Sequence, residues 1–348
     1  MALLKSIEHG AKLALAALLA LLLFRPWRRA RLTKLPSAQR VLLVRIDQRV
    51  GEVLLTTPVV NALEGREVHL LVHPKMVRVV EGLPGVTRVW PFEKRWSSLR
   101  ALRAQKFEAV INCGNWSTPA VTSAIATRLI AAQGVAVGPA TAPTSWLMDR
   151  PVESIPAERS ELVQRVHLVE ALRSPSQPLR MSFRTPRPDQ TVRAFIGTLG
   201  TRFAVVNPGG RLGERRVPAS AFAAGCRVLS EAGLTPVVTW GPGEEALADQ
   251  VCAGCPSATR AVPTDLDGLA ALLAGARMTL CNNTGPMHLA VALGSPTLAL
   301  FSRIEVARWS HPQLRNRSVD VTTLLDDPAA LEAQVAREVA SFLARLPG

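Results

Sequence analysis

The sequence predicts an α/β protein made of two doubly wound parallel-sheet domains, and three observations predict it. Short, β-branched apolar runs alternate with helical patterns from Val41 onward; the alternation stops at a proline-rich stretch, Ser174 to Asp189; then it starts again. At 348 residues and 48% hydrophobic content, the chain is long enough to bury two cores. The predicted boundaries are a membrane-associated segment at 1–35, a first Rossmann-like domain at 36–180 and a second at 181–348. Two such sheets facing a cleft bind ligands beyond the carboxyl ends of their strands, so the loops after the strands are where chemistry is expected.

In the first domain, "VLLVRI" (Val41 to Ile46), "VHLLV" (Val68 to Val72) and "FEAVINC" (Phe107 to Cys113) read as buried strands. Helical patterns lie near Glu52 to Leu63, Trp96 to Ala104, Pro119 to Ala132 and Ser160 to Arg173. In the second, "FAVVN" (Phe203 to Asn207), "TPVVTW" (Thr235 to Trp240), "MTLC" (Met278 to Cys281) and "TLALF" (Thr297 to Phe301) are the strands. Helices are expected between them at Ala219 to Ala232, Glu244 to Ala253, Asp267 to Ala274 and Met287 to Leu293, with a last one from Pro328 to Leu346. Thr264 followed by Asp267 reads as the capping arrangement of the third of these helices rather than as a metal motif.

The amino-terminal segment has an unbroken apolar run from Leu13 to Phe24. As a helix this run is about 18 Å long, against the roughly 30 Å of a hydrocarbon core. Arg25, Arg28, Arg29, Arg31 and Lys34 follow at once with Trp27 among them, the pattern of an interfacial anchor on anionic cytoplasmic lipid. Arginines in place of a small-residue cleavage site argue against an exported signal peptide. The rest of the chain is expected on the cytoplasmic side.

A formal net charge of +14 calls for an acidic partner, and the basic excess is concentrated in the first third of the chain. Nucleic acid is disfavoured, because the chain has no tyrosine and no finger, RNP-like or helix-turn-helix signature. A membrane surface or a phosphorylated substrate fits better. Five scattered cysteines do not make a disulfide framework, and the lone CxxC, Cys252 to Cys255, has no second ligand pair for zinc. No metal site is predicted.

Three loops of the second half have phosphate-binding character. In "NPGGRLGERRVP", Asn207 ends a strand, Gly209 and Gly210 permit close backbone approach, and Arg211, Arg215 and Arg216 supply cations. In "WGPGEE", Glu244 and Glu245 open a helix, where they either complement its dipole or bind a ribose hydroxyl. In "CNNTGPMHLAVALGSP", Asn283, Thr284 and Gly285 lead into a helix that carries Met287 and His288 in its first turn, an anion site by its free amides and dipole. In the first half, "VLLVRIDQRVGEVLL" places Asp47 and Glu52 with Arg45 and Arg49 at a strand's carboxyl end. Either acid can serve as general base toward a hydroxyl; equally, Asp47 can cap and Glu52 favour the helix start.

Taken in order, "VLLVRIDQRVGEVLLTTPVVNAL", "VNPGGRLGERRVPASAFA" and "CNNTGPMHLAVALGSPTLALF" resemble the bacterial lipopolysaccharide heptosyltransferases, glycosyltransferase family 9. The resemblance implies a GT-B architecture and inverting, metal-independent transfer of a heptose from an ADP-sugar co-substrate to a lipid-linked inner-core acceptor, with no cofactor. It also implies work at the cytoplasmic face of the bacterial inner membrane. By that resemblance Glu52, or failing that Asp47, is the catalytic carboxylate, the family having aspartate at position 52. Asn207, Gly209, Gly210, Arg211, Arg215, Glu244, Asn283, Thr284, Gly285, Met287 and His288 form the donor site. Arg45 and Arg49 would hold an acidic glycolipid acceptor. The family's lysine is Arg215 here, its aspartate before Thr-Gly is Asn283 and its aromatic before Pro218 is Val217. These departures leave two other readings: a family member that binds nucleotide or glycolipid without transfer, and a transferase of another nucleotide sugar.

Overall fold

Why the apolar runs become strands is visible in their burial. Strand β1 (Arg40–Arg45) is buried at every position after the first, and its neighbours are nearly as dry, as a parallel sheet covered on both faces requires. The computed structural model describes residues 35–172, 179–311 and 315–347, with Gly10, Ala14, Leu18 and Leu32. The predicted anchor at 1–35 and most of its polybasic segment therefore lie outside the described residues, as do positions 173–178 of the predicted linker. Among the described residues no helix is long and apolar enough to cross a membrane.

The chain divides into two units, Met1–Arg180 and Met181–Gly348. In the first, β1, β2 (Glu67–Val72), β3 (Val86–Pro91), β4 (Ala109–Asn112), β5 (Val135–Pro139) and β6 (Arg150–Val152) form one sheet in the order β3-β2-β1-β4-β5-β6. Every pairing in it is parallel. Its helices are α1 (Val50–Leu54), α2 (Thr57–Ala62), α3 (Val77–Val80), α4 (Trp96–Ala104), α5 (Val121–Ile130) and α6 (Glu161–His167). One core packs Leu42, Val44, Leu71, Val110 and Ala136 of the sheet against Leu102 of α4 and Val121, Ala124 and Ile130 of α5.

The second unit repeats the plan. Strands β7 (Phe203–Asn207), β8 (Thr235–Val238), β9 (Thr259–Arg260), β10 (Thr279–Asn282), β11 (Thr297–Phe301) and β12 (Asn316–Asp320) run β12-β11-β10-β7-β8-β9, again all parallel. Helices α7 (Gln190–Leu199), α8 (Ala219–Glu231), α9 (Glu245–Gly254), α10 (Leu266–Gly275), α11 (Gly285–Ala292), α12 (Val306–Trp309) and α13 (Pro328–Leu343) accompany them. Counted from its own first strand, each sheet has the order 3-2-1-4-5-6. The order in which strands are added reverses between β1 and β4 in one unit and between β7 and β10 in the other, which makes those strand ends the ligand-binding switch points.

The differences from expectation have local causes. The helix expected over Glu52 to Leu63 is two, because Pro58 has no N–H to give. The hydroxyls of Thr56 and Thr57 meanwhile donate to the carbonyls of Glu52 (3.2 Å) and Leu54 (2.7 Å). Strands β3, β9 and β12 have no clear apolar pattern because they lie on or beside sheet edges, where burial is partial. The cap of α10 is Asp265, whose carboxylate accepts from Gly268 N–H at 2.8 Å, and not Thr264 with Asp267. Asp267 instead takes both guanidinium nitrogens of Arg184 at 2.6 Å.

Candidate functional site

In the first unit the loop after β1 is organised by charge. Glu52, in the first turn of α1, is 5% exposed and carries Oε2 between Arg45, at 2.6 Å, and Arg165 of α6. Its Oε1 lies 3.3 Å from Arg49, and its main-chain carbonyl accepts from Arg165 at 2.7 Å. Arg165 has no exposed side-chain surface and also donates to Asn115, 3.0 Å away in the loop after β4, while Glu161 stands one helical turn behind it at 3.6 Å. Burial by itself would raise the Glu52 carboxyl. The charges of Arg165 and Arg45 override it and hold the group below the usual carboxylate range.

Asp47 sits differently. Arg49 grips it through Nε (2.9 Å) and through a second guanidinium nitrogen (2.6 Å), and the Arg49 amide donates to it at 2.9 Å. Its side chain keeps 21% exposure and lines a cavity of about 520 Å³ with Arg45, Ile46, Gln48, His73 and Lys94. Here too burial pushes the carboxyl up, and the bonds from Arg49 with the charge of Arg45 bring it down on balance. Both carboxylates are ionised at neutral pH. Arg45 is 5% exposed, and burial lowers its guanidinium to about 10. Arg45 and Arg49, expected to hold an acceptor, are thus committed to carboxylates of their own loop.

In the second unit three strand-end loops close on one another. A Cβ on Gly209 would collide with the Glu244 carboxylate, and one on Gly210 would stand 2.8 Å from the Thr284 methyl, so close packing of the loops requires both glycines. Glu244 fastens them: Oε1 accepts from Gly210 N–H (2.8 Å) and Arg216 (3.0 Å), and Oε2 accepts from Gly241 N–H (3.0 Å). Glu244 stands at the N-cap position of α9, with its carboxylate turned to these loop donors. Asn282, which sequence reasoning missed, is the second fastener. It accepts from Val217 N–H at 3.2 Å and donates to Pro208 O at 2.7 Å. Asn207 donates to Thr239 at 3.0 Å and leaves its carbonyl oxygen buried without a partner.

What remains free is cationic. Arg211 and Arg215 are exposed, and neither guanidinium has a partner among the described residues. The anion-binding amides at the start of α11 are fewer than expected. Pro286 has none, and those of Met287 and His288 donate to Thr284 O at 3.1 and 3.4 Å, which leaves Thr284 and Gly285. Met287 is 1% exposed and packs with Cys281, Ala299 and Phe301, so its side chain belongs to the core. Asn283 has a side chain without a partner among the described residues. His288 is buried and shares a 2.8 Å hydrogen bond between its Nδ1 and Nε2 of His311, a residue no motif had singled out. Burial pushes His311 down to about 4.

Two measurements follow from these contacts. Replacing Arg165 by Met takes one of three guanidinium partners from the buried Glu52 carboxylate and leaves Arg45 and Arg49, and the expected loss is about 1.5–3 kcal/mol in urea unfolding. Glu52→Gln added to it should cost much less than the sum of the single changes, because the pair acts as one unit. His311 is held neutral when folded, so its contribution is complete above its unfolded value near 6.5 and is lost as pH falls toward 4. Between pH 7 and 5 this amounts to roughly 2 kcal/mol. A His311→Gln variant should show a correspondingly flatter dependence of stability on pH.

Comparison with known proteins adds to this geometry. A glycosyltransferase family 9 protein from Veillonella parvula shares 18% identity and superposes with a TM-score of 0.74 over 88% of this chain and 97% of that one. For the E. coli ADP-heptose LPS heptosyltransferase II the values are 16%, 0.69, 88% and 99%. For E. coli heptosyltransferase WaaC with ADP they are 22%, 0.66, 88% and 99%. These likenesses establish the fold, two parallel α/β sheets of GT-B type. No protein of curated function matches the sequence. The model of glycosyltransferase family 9 (heptosyltransferase) matches residues 95–328, all three loops of the second unit's site included, and the chain belongs to that family.

Proposed function

We propose that this glycosyltransferase moves a heptose, or a closely related sugar, from an ADP-sugar to an acidic glycolipid of lipopolysaccharide-core type. The observation that carries the reading is the pairing, at one switch point, of glycine-shaped backbone with the uncommitted guanidinium groups of Arg211 and Arg215 and the open amides of Thr284 and Gly285. Such a site suits the diphosphate of a nucleotide sugar. The reaction is proposed as metal-independent; of the carboxylates in those loops, Glu244 has both oxygens taken by N–H donors.

In the proposed inverting step the acceptor hydroxyl bonds to the anomeric carbon as the bond from that carbon to the phosphate oxygen breaks. The electron pair leaves with ADP, whose new charge the arginines and amides stabilise. The hydroxyl proton goes to Asp47. Of the two loop carboxylates it is the one that lines a cavity, whereas Glu52 is buried with both oxygens engaged by arginines. Arg49 donates to Asp47 three times and Arg45 reaches it at 3.4 Å, which fills its roughly four lone-pair positions, so an acceptor hydroxyl takes the place of the long Arg45 contact. Glu52 is then a positioning residue that fixes Arg45 and Arg49 and, through them, Asp47. The polybasic segment after the apolar run supports attachment at the cytoplasmic face of the inner membrane, where such an acceptor is made.

A non-catalytic binder is the second reading, favoured by how fully Glu52 is engaged. The test is transfer from ADP-heptose to membrane glycolipid in the presence of EDTA. Wild type should turn over, and Asp47→Asn should lose about 100-fold or more in kcat with little change in either KM. Undiminished turnover in Asp47→Asn would remove its assigned role, and ADP binding without transfer by wild type would favour the binder. Arg215→Ala should instead raise the donor KM, by about tenfold for a lost charge-assisted contact. Stabilisation by a UDP-sugar and not by an ADP-sugar would overturn the choice of nucleotide.

A further inference from the structure

Apart from glycines, the backbone is left-handed at two described residues, Lys106 (φ 53°) and Arg303 (φ 55°). Lys106 has an ordinary reason, since it lies just past the end of α4, where chains commonly turn into this region. Arg303 has no helix to end. It follows β11 by one residue, at the carboxyl end of the second sheet, in a conformation that a side chain disfavours. Directly before it, Ser302 is 2% exposed and its hydroxyl has no hydrogen-bond partner among the described residues. Two unfavourable features in successive residues persist only where the surroundings hold them, and they collect at sites that bind ligands.

The surroundings of Arg303 hold its main chain and leave its charge free. Val321 N–H donates to Phe301 O at 2.9 Å and Arg303 N–H donates to the Thr322 hydroxyl at 2.8 Å, so the segment after β12 clamps the loop. The exposed Arg303 side chain reaches the turn Gly213–Arg215, where its guanidinium donates to Glu214 O at 3.5 Å. That long contact is its only one among the described residues, and it has no ion-pair partner there, the Glu214 carboxylate included. A third free guanidinium thus stands beside Arg215, supplied by a loop outside the three that carry phosphate-binding character in the sequence.

Strand order says which part of a nucleotide it meets. The glycine loop and Thr284 lie at the ends of β7 and β10, which β8 flanks on one side and β11 on the other. In a doubly wound sheet the nucleoside lies toward the second strand of the first βαβ element, β8 here, so a diphosphate over β7 and β10 directs its far phosphate toward β11. We infer that Arg303 binds the terminal phosphate of the nucleotide, the group that takes up charge as the sugar leaves, and that its left-handed backbone is what aims it there. The part in transfer rests on the transferase reading; recognition of a terminal phosphate does not. The phosphate oxygen replaces Glu214 O as acceptor, with a shorter, charge-assisted bond. A terminal phosphate carries more charge once its sugar has gone, so the contact strengthens along the reaction.

Calorimetric titration of the full-length protein with ADP and with AMP, which lacks the terminal phosphate, tests the assignment. Wild type should bind ADP about tenfold or more tightly than AMP. Arg303→Gly suits the left-handed backbone, so it should keep Tm, weaken ADP about tenfold and leave AMP within about twofold. Arg303→Lys, which keeps the charge without the fork, should fall between the two. In transfer from ADP-heptose, Arg303→Gly should lower kcat more than it raises the donor KM. An unchanged ratio of ADP to AMP affinity in Arg303→Gly, or equal loss of both nucleotides at unchanged Tm, overturns the assignment. If Arg303→Gly lowers Tm, the same comparison is read from Arg303→Gln. A changed ratio in a protein unable to transfer from ADP-heptose upholds the phosphate contact and removes the transferase reading alone.

Discussion

The buried charge of Glu52 is the constraint on which the first unit's site depends. A carboxylate at 5% exposure is tolerable only if it is paired and hydrogen-bonded, and three arginines from different parts of the chain meet that condition. Arg45 comes from the end of β1, Arg49 from the loop and Arg165 from α6, while Arg45 and Arg165 both reach on to Asn115 after β4. The side chains at the switch point are therefore set by one electrostatic requirement rather than by loop packing. Asp47 inherits its position from it, because the guanidinium groups that grip Asp47 are the ones Glu52 holds.

The second unit solves a parallel problem with different groups. Its loops carry main-chain donors and acceptors that must be satisfied away from water, and Glu244 and Asn282 do so from the centre. In both units, then, the acid that looks most chemical in the sequence is an internal fastener. The groups left for a ligand are its neighbours: Asp47 in one unit, Arg211, Arg215 and the first amides of α11 in the other. Fastening by a charged residue keeps such loops rigid, and rigid donors stabilise developing charge without reorganising.

The order of strands and helices was legible because parallel sheets demand continuous apolar runs, and "VLLVR" and "FAVVN" can be little else. Edge strands such as Asn316–Asp320 were not, since partial burial leaves no pattern to read. The site was legible to the level of loops: glycines at 209 and 210 announce close approach, and Glu244 and Thr284 are what approaches. Pairings between distant segments were hidden, because no local rule links Glu52 to Arg165, 113 positions on. One signal was available. Leu162, Arg165, Val166 and Val169 share a helical face, and an arginine on an apolar face needs a buried acid.

The same geometry gives a reason for glutamate at a position where the resemblance of the first loop implies aspartate. One methylene fewer would draw the carboxylate back by about 1.5 Å, enough to take it out of hydrogen-bond reach of the Arg165 guanidinium. Arg165, with no exposed surface, would then keep only the Glu52 carbonyl, Asn115 and the more distant Glu161 as partners. Glutamate at 52 and arginine at 165 thus form a matched pair, each tolerable in the interior because of the other. A chain that adopts this pair moves its acid inward, toward α6. The acid that still lines the cavity is Asp47, and it is there that the proposed base role falls.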